Sequence, residues 1–385
     1  MTAIQFDPIR LPPEAQALRA EVRAFVRQEI DAGTFDPHRG ALLLESNADF
    51  SRKVGARGWI GMTWPKRYGG RERSFLERYV VTEELRVANA PVGLHFTADR
   101  QSGPMLLKFA GERVKADILP RITRGECCFC IGMSEPDSGS DLFAAKTRAL
   151  RCESGWRVRG TKLWTTGAHR ADYMIGLFRT SAPTKDNRRH GLTQFLVDMT
   201  APGIKVNPIA NTLGQLEFNE VVFDDMFVPD EHALGEIDMA WKQAASELSY
   251  ERSGPEKFLE ISYVLFELVR VLGSSPDARS AEGIGRLVAQ LHTLRRMSVS
   301  VNGMLQAGKD PTLEGSIVKD LGTVWQQMLP HKARDLTAFI DGKMQDRERF
   351  DQLLAHATGI VPKLTIQGGT SEVLRGIIAR GLGLR

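Results

Sequence analysis

A short stretch in the first half of the sequence concentrates residue types that could hold an anionic ligand. It reads IGMSEPDSGSD, covers residues 131–141, and follows an apolar run that ends at Cys130. Glycine and serine let backbone amides and hydroxyl groups come close to a bound molecule, and such loops often contact anions. The same residue types are common in ordinary turns, and taken alone the stretch favours the turn.

A second stretch, KLWTTG, covers residues 162–167. Trp164 offers a flat aromatic face, and Thr165 and Thr166 offer two hydroxyl groups beside it. A ligand with a ring system could use both features, whereas a tryptophan that packs in the core needs no ligand. By itself, this stretch favours core packing.

Composition excludes several classes of protein. The chain has 385 residues, of which 42% are hydrophobic and 25% charged, and these globular values argue against extensive disorder. No apolar run reaches the roughly 18 residues that a membrane helix needs. The first residues lack a basic segment followed by an apolar one, so we expect no secretory signal. The formal net charge of +4 is too small to indicate nucleic acid by itself.

Cysteine usage predicts a reducing compartment. Four cysteines are too few for a disulfide scaffold in a chain of this length. Cys127 and Cys130 form a C-x-x-C pattern, but no second ligand pair accompanies them, and CFCIGM is typical of a buried strand. We therefore predict that these thiols pack in the core, that they hold no metal, and that the protein is cytoplasmic.

Hydrophobic periodicity divides the chain into three blocks that must position the two stretches. Apolar residues such as Leu18 and Val22 recur at helical spacing in residues 1–126. Residues 127–235 are rich in short alternating segments with glycine and proline between them, which predicts a small antiparallel barrel or sandwich. Helical patterns return in residues 236–385. The predicted fold class is α+β, with an N-terminal helical domain, a middle β-domain and a C-terminal helical domain.

The more specific element predictions lie in the second half of the chain. Residues 156–164 alternate around a glycine, as two short strands would. Helices are predicted over residues 240–272, 281–305, 313–340 and 371–379 from apolar residues at helical spacing.

Four ordered motifs make the sequence resemble the acyl-CoA dehydrogenase family. They are GWIGMTWPKRYGG with a later EEL in the first block, MSEPDSGSDL and residues 156–167 in the middle block, and IQGGTSEVLRGIIARGLGL at the end. Four matches in order across three blocks are more specific than any single motif. The resemblance implies the fold of that family, whose C-terminal domain is a four-helix bundle. It also implies an oxidoreductase of lipid metabolism that uses FAD to dehydrogenate an acyl-CoA thioester.

The resemblance carries cofactor contacts to particular positions of this sequence. The positions that would contact FAD are Ile131, Met133, Ser134, Gly139, Ser140, Trp164, Thr165, Thr166, Thr370 and Glu372. Trp164 would cover one face of the flavin, with Thr165 and Thr166 hydrogen-bonding its ring. Ser134 would bond the edge of the isoalloxazine.

The resemblance also implies a base. The family reaction removes a proton from the α-carbon of the thioester and transfers a hydride from the β-carbon to flavin N5. In many members the base is a glutamate just before the Gly-Thr of the last motif, but Gly368 occupies that position here. Other members use a glutamate that precedes an arginine in the first helix after the β-domain, which matches Glu251 and Arg252. Glu251 is therefore the predicted base, and a surface charge on an amphipathic helix is the other interpretation.

Four substrate contacts follow from the same resemblance. Ser140 would lie by the pantetheine of CoA, Arg252 on the CoA side of the substrate, and Gly369 at a substrate-contact position. Gly368 keeps a backbone N–H that could bind the thioester oxygen. Because position 368 has no side chain, it favours a branched, aromatic or ring-bearing acyl group over a slim straight one.

Two departures from the family leave its assembly open. GSSPDAR at residues 273–279 replaces an Arg-x-Phe-Gly stretch that reaches the FAD of a neighbouring subunit, and QLLAHATG at 352–359 replaces a glycine-rich stretch. The resemblance implies a homotetramer, or a heterotetramer with a homologous subunit, that passes electrons to electron-transferring flavoprotein. One alternative is a non-catalytic or partner-dependent subunit of a heteromeric enzyme. A nucleic-acid-binding member of the fold is less favoured, since no basic run contains interleaved aromatic residues.

Overall fold

The computed structural model describes residues 4–37, 46–241, 243, 252, 254–338 and 347–384. The chain forms two compact units. The first, called the helical unit here, comprises Met1–Leu42, Ser74–Ala90 and Glu251–Arg385. The second, called the sheet unit, comprises Leu43–Arg73 and Pro91–Tyr250. The predicted N-terminal block therefore contributes to both units.

The elements fall in the predicted order of helices, strands and helices. Within the described ranges the first helices are α1 (Pro13–Asp31), α2 (Ala48–Ala56), α3 (Phe75–Val87), α4 (Gly93–Thr97), α5 (Gly103–Phe109) and α6 (Glu112–Thr123). The strands are β1 (Phe129–Gly132), β2 (Arg148–Cys152), β3 (Gly155–Lys162), β4 (Tyr173–Arg179), β5 (Leu192–Asp198), β6 (Ile204–Ala210), β7 (Leu216–Pro229) and β8 (Ala233–Leu234). The later helices are α7 (Glu256–Leu259), α8 (Tyr263–Leu272), α9 (Ala278–Gln306), α10 (Thr312–Thr337), α11 (Arg347–Ile360) and α12 (Ser371–Gly381).

Local sequence explains where the helices of the helical unit begin. Helix α1 has a proline in its first turn, where the missing N–H costs nothing. Helix α3 begins with a capping box, in which Ser74 and Glu77 each bond the backbone of the other. Helix α9 begins after Asp277, whose carboxylate accepts the amides of Arg279 and Ser280.

The core of the helical unit confirms most of the helical pattern. The predicted helices over 281–305, 313–340 and 371–379 correspond to α9, α10 and α12 within a few residues over the described part. The single helix predicted over 240–272 is wrong in its described part, because α7 and α8 are separate helices. Residues 242, 244–251 and 253 of that prediction lie outside the described residues. The central apolar cluster includes Phe258, Leu265, Leu268, Leu294, Val318, Trp325, Leu329, Phe350 and Leu364.

A buried carboxylate on α3 connects this helix to two other helices of the helical unit. Glu83 accepts hydrogen bonds from Nε and Nη2 of Arg295 at 2.7 and 3.0 Å. The same carboxylate lies 2.9 Å from Nη2 of Arg19. Arg19 is on α1 and Arg295 on α9, so Glu83 joins three helices from distant parts of the chain. A domain division near residues 126 and 235 stays a proposal.

The sheet unit contains one mixed sheet of eight strands. Its order is β6-β7-β3-β2-β4-β5-β8, and β1 pairs with β4. The pairing of β1 with β4 is parallel, with Ile131 opposite Ile175, so the prediction of a wholly antiparallel block is wrong. The hairpin of β2 and β3 lies between β1 and β4 in the chain, and this long connection lets β4 run in the same direction as β1.

Strand β3 positions one of the two candidate stretches. The two short strands predicted around Gly160 are one strand, because a bulge between Val158 and Gly160 absorbs the irregularity. Gly160 has φ of 140°, a conformation that favours glycine. Trp156, Val158 and Lys162 alternate onto the buried face of the strand.

The predicted burial of the cysteines is confirmed for two of them. Cys127 and Cys130 are buried, and Cys130 lies in β1. Burial raises the pKa of Cys127 to about 12 and that of Cys128 to about 11. Both thiols therefore stay protonated near neutral pH. Separately, no helix in the described ranges is long and apolar enough to cross a membrane; the cytoplasmic location stays a prediction.

Candidate active site

The first candidate stretch forms a closed turn directly after β1. The amide of Glu135 donates to the carbonyl of Ser138 at 2.7 Å, and the amide of Ser138 donates back at 3.1 Å. The Ser138 hydroxyl donates to the carbonyl of Asp141 at 2.8 Å. The carbonyl of Ser134 accepts the amide of Leu163 at 2.9 Å, which joins this turn to the second stretch. The two stretches that the sequence singled out are therefore neighbours in the sheet unit.

A buried ion pair between Lys162 and Glu135 stabilises this turn. Lys162 is 0% exposed, and its Nζ donates to Glu135 Oε1 at 2.7 Å and to the carbonyl of Met133 at 3.2 Å. The Glu135 carboxylate also accepts the amides of Lys146 and Thr147, at 2.6 and 3.0 Å. These four hydrogen bonds fix the backbone at Met133 and hold Glu135 of the turn against residues 146–147.

The electrostatics of this pair follow from its burial. Burial lowers the pKa of Lys162 to about 8, against the opposing effect of Glu135. Burial alone would raise the pKa of Glu135, but the Lys162 ammonium and the amide donors outweigh it, so this pKa lies below its ordinary value. The carboxylate is consequently charged at neutral pH.

Trp164 has an unusual conformation for a large residue. Its φ is 61°, in the left-handed region that disfavours side chains, and the residue is 56% exposed. The ring makes an edge contact with Phe218, with centroids 6.0 Å apart. Core packing, the interpretation that the stretch favoured when taken alone, is therefore wrong for Trp164. A strained, exposed aromatic ring beside a hydrogen-bonded turn is typical of a binding surface.

Thr165 supplies the decisive local observation. It is 1% exposed, and its backbone is fixed by Asn219, which accepts the Thr165 amide at 3.0 Å and donates its side-chain amide to the Thr165 carbonyl at 2.8 Å. Its Oγ1 is buried, and no described residue provides it with a hydrogen-bond partner. Because buried hydroxyl groups are normally paired, this atom can accept or donate one hydrogen bond to a partner beyond the described residues.

The other predicted cofactor positions of the sheet unit lie in the same two stretches of sequence, and their solvent exposure differs. Ile131, Met133, Ser134 and Thr166 are half-buried, and Gly139 and Ser140 are exposed. A Cβ placed on Gly139 would meet no atom within 4 Å, so close packing does not require glycine there.

The helical unit carries the C-terminal candidate residues on a tight turn before α12. Gly368 and Gly369 have φ of 68° and 99°, so both need the left-handed freedom of glycine. In the described part of the chain, neither amide donates a hydrogen bond. Thr370 caps α12 by accepting the amide of Val373 at 3.3 Å. Glu372 is exposed, and hydrogen bonds from its own amide and from Thr370 lower its pKa.

Two buried cations lie behind this turn. Arg252 is 1% exposed and donates through Nε to the carbonyl of Gly368 at 3.4 Å and through Nη1 to Ser316 at 3.2 Å. Lys319 is 2% exposed and donates through Nζ to the carbonyls of Leu364 and Gly369, at 2.9 and 3.3 Å. The predicted base, Glu251, lies outside the described residues.

Sequence reasoning missed three of these residues, although the patterns contained a signal for two of them. Lys162 occupies an inward position of the alternating strand β3, where an apolar residue is the norm. Glu135 lies inside the first stretch but has no feature that distinguishes it from its polar neighbours. Lys319 lies on the buried stripe of α10, four residues after Gly315 and three before Gly322. A charge on a buried face is the common signal for Lys162 and Lys319.

Comparison with known proteins extends these observations to the whole chain. The family model "Acyl-CoA dehydrogenase, N-terminal domain" matches residues 12–126, and "Acyl-CoA dehydrogenase, middle domain" matches residues 130–226. The acyl-CoA dehydrogenase IpdE1 of Mycobacterium tuberculosis is 30% identical over 393 residues, which cover 96% of this chain and 98% of IpdE1. This chain belongs to the acyl-CoA dehydrogenase family. The acyl-CoA dehydrogenase FadE34 of the same organism is 31% identical over 85% of this chain, which spans 45% of FadE34.

Solved structures agree with the acyl-CoA dehydrogenase assignment. The structure of the "Tcur3481-Tcur3483 steroid ACAD" has a TM-score of 0.83 and 26% identity, covering 97% of this chain and 98% of the other. The ChsE4–ChsE5 complex from Mycobacterium tuberculosis has a TM-score of 0.80 and 26% identity, covering 98% and 99%. The α+β fold predicted from the sequence is confirmed, and the relatives indicate an oxidoreductase that dehydrogenates acyl-CoA. Members of the family are flavoproteins.

Proposed function

We propose that this acyl-CoA dehydrogenase binds FAD and oxidises the α,β-bond of an acyl-CoA thioester. The observation that carries the proposal is the Thr165 hydroxyl, which is buried without a described partner next to the exposed ring of Trp164. A flat heterocycle with polar edges fits this pair, because the indole can stack on its face while the hydroxyl bonds its edge. When bound, FAD supplies the electron acceptor.

The residues of the sheet unit would bind and orient the cofactor. Lys162 and Glu135 fix the backbone of Met133, and the amide of Leu163 fixes that of Ser134. These backbone positions are consequently rigid before any ligand binds, and a rigid site loses less entropy on binding. Further contacts are proposed for Ile131, Gly139, Ser140 and Thr166 of this unit, and for Thr370 and Glu372 of the helical unit.

The residues of the helical unit would handle the proton and the thioester. We assign the α-proton to Glu251, because Gly368 has no side chain to act as a base. The α-proton of a thioester is weakly acidic, so its removal needs hydrogen bonds to the carbonyl oxygen where charge develops. The amides of Gly368 and Gly369, which donate to no acceptor among the described residues, would provide such donors. Arg252 of this unit and Ser140 of the sheet unit are proposed as contacts of the CoA part.

The proposed acyl group is branched or ring-bearing. The absence of a side chain at position 368 supports this class, because a glutamate there would fill part of the pocket. The likeness to a protein described as a steroid ACAD supports it independently. We propose electron-transferring flavoprotein as the acceptor of the electrons.

A second candidate is a partner-dependent subunit. Two similar structures are complexes of two differently named chains, which supports a heterotetramer as much as a homotetramer. The replaced Arg-x-Phe-Gly stretch also fits a chain that depends on a partner for part of its cofactor site.

The first test measures flavin binding. Purified protein, with and without added FAD, is assayed for visible absorbance and for quenching of tryptophan fluorescence. We expect Thr165→Val to weaken FAD binding about tenfold, as loss of one buried hydrogen bond does. Thr200→Val is the matched control, because Thr200 is an exposed turn residue of the same unit. A protein that binds no flavin alone or with a homologous partner would disprove FAD dependence.

The second test identifies the substrate class. A panel of straight, branched and ring-bearing acyl-CoA thioesters is mixed with the flavin-loaded protein, and bleaching of the flavin absorbance is followed in a single turnover. We expect the ring-bearing members to react fastest. Bleaching only after addition of a homologous subunit would favour the partner-dependent candidate, and flavin binding without bleaching in any combination would contradict the dehydrogenase.

A further inference from the structure

Lys319 is buried at a place where its charge has no catalytic assignment. It lies on α10, and a buried ammonium is costly unless oxygen atoms replace its water. Those oxygens include the carbonyls of Leu364 and Gly369, at 2.9 and 3.3 Å from Nζ. The two carbonyls bracket the turn that contains Gly368.

In this turn, carbonyls that point toward the buried cations belong to peptide groups whose amides point away from those cations. No peptide bond in the described chain is cis, so each N–H points opposite to the C=O of its own peptide group. Arg252 binds the carbonyl of Gly368, which directs the amide of Gly369 away from the cation. Lys319 does the same for the next peptide group by binding the carbonyl of Gly369.

Glycine alone would not hold this arrangement. Gly368 and Gly369 both lie in the left-handed region, and glycine samples many other conformations at similar free energy. Lys319 closes the turn at both ends, while a Cβ on Gly369 would approach Arg252 Nη2 to 3.1 Å. The buried cations therefore hold the turn through its carbonyls. Its amides remain able to donate to an acceptor from a bound ligand.

We propose that Lys319 is a positioning residue for the thioester, acting through the turn at residues 364–369. It binds the carbonyls on either side of the Gly368 and Gly369 amides, and so fixes the direction of the amides that would bind the thioester oxygen. This inference rests on the proposed function. Lys319 itself does not touch the substrate.

The test compares Lys319→Met, Lys319→Arg and the wild type, with Lys332→Met as the matched control. Lys332 lies on the same helix, is exposed, and is 3.9 Å from Asp335 rather than near the turn. The probe is 3-thiaoctanoyl-CoA labelled with ¹³C at its thioester carbonyl, and isotope-edited infrared difference spectra report the polarisation of that bond. We expect the wild type and Lys332→Met to lower the carbonyl frequency equally, Lys319→Met to lower it much less, and Lys319→Arg to restore part of the shift.

Two further measurements separate the outcomes. Turnover of Lys319→Met should fall about tenfold to a hundredfold in kcat with little change in KM, because the lost donors act on developing charge. Amide hydrogen exchange of a peptide covering residues 361–374 should accelerate in the ligand-free variant. An unchanged infrared shift, or unchanged exchange in a folded Lys319→Met, overturns the proposal. If the wild type binds neither this probe nor any member of the acyl-CoA panel, the proposed function fails first, and this is seen before any variant is compared.

Discussion

The ammonium of Lys162 lies 2.7 Å from the carboxylate of Glu135 in a part of the sheet unit where both side chains are buried. Either charge can be buried only because the other lies beside it, since the desolvation free energy of an isolated buried charge is far larger than that of a pair. The pair also holds the carbonyl of Met133, so it couples the stability of the sheet unit to the shape of the proposed flavin turn.

Removing one partner of this pair should be much more harmful than removing both. We expect Lys162→Met to lower the free energy of unfolding by about 3–5 kcal/mol, because it leaves a buried carboxylate without its cation. The double variant Lys162→Met/Glu135→Gln should recover most of that loss, since no charge remains buried. Urea denaturation of the two single variants and the double variant gives the coupling free energy, and additive losses would contradict the argument.

The acid stability of the sheet unit should depend on His95. Burial lowers the pKa of His95 to about 4, and its Nδ1 is 2.9 Å from the hydroxyl of Ser51. Between pH 6.5 and about 4 the unfolded chain binds a proton here that the folded protein does not, so stability decreases as pH falls through this range. The loss attributable to this group should be about 2–4 kcal/mol.

His95→Asn should remove that pH dependence, because its amide can still bond Ser51 but does not titrate. The measurement is the free energy of unfolding at several pH values between 4 and 7, with His331→Asn as the exposed control. If the free energy of unfolding falls equally with pH in His95→Asn and in the wild type, another group is responsible for the loss of stability at acid pH.

Trp164→Gly should separate stability from flavin binding. The substitution relieves left-handed strain of about 1 kcal/mol, and glycine costs a similar amount in chain entropy. We expect the unfolding free energy to change by less than about 1 kcal/mol, while FAD affinity falls by about tenfold or more. Trp156→Gly is the contrasting variant, since Trp156 is buried and its loss should destabilise the fold itself. A strongly destabilised Trp164→Gly would mean that the ring packs as a core residue.

Glu251→Gln tests the assignment of the base. The amide keeps the size of the side chain but cannot accept a proton, so turnover should fall about 10²–10⁴-fold while flavin content is retained. Single-turnover bleaching by a reactive acyl-CoA is the measurement. Wild-type rates in Glu251→Gln would place the base elsewhere.

A companion variant adds Gly368→Glu to Glu251→Gln. If both positions can present a carboxylate to the same carbon, part of the activity should return. The left-handed φ of 68° at Gly368 opposes any side chain there, so we expect incomplete recovery.

Much of the fold could be predicted because its signal is local. Helices α9 and α10 are long and periodic, and their bounds follow from apolar spacing within a few residues in the described part. The parallel pairing of β1 with β4 could not be predicted, since it depends on which distant strand occupies the neighbouring position. The separation of α7 from α8 was missed because apolar spacing continues through the break.

The candidate site, like the fold, could be predicted from the sequence only in part. Residue types and order indicated the turn after β1 and the Trp164–Thr166 stretch, but the free hydroxyl of Thr165 depends on what Asn219 leaves unbonded. Lys162 and Lys319 resemble surface residues until the face on which each lies is known. Their partners include a carboxylate 27 positions from Lys162, and carbonyls 45 and 50 positions from Lys319.

The position of α3 has a consequence for how the protein is made in the cell. Glu83 finds Arg295 only 212 residues later, and Tyr79 and Val80 share a buried cluster with Val299. A ribosome that adds about 5–20 residues per second leaves α3 without these partners for roughly 10–40 s. During that time its apolar face is available to chaperones or to other nascent chains. Translation speed between α3 and α9 should therefore affect the yield of native protein more than the speed through either helix alone.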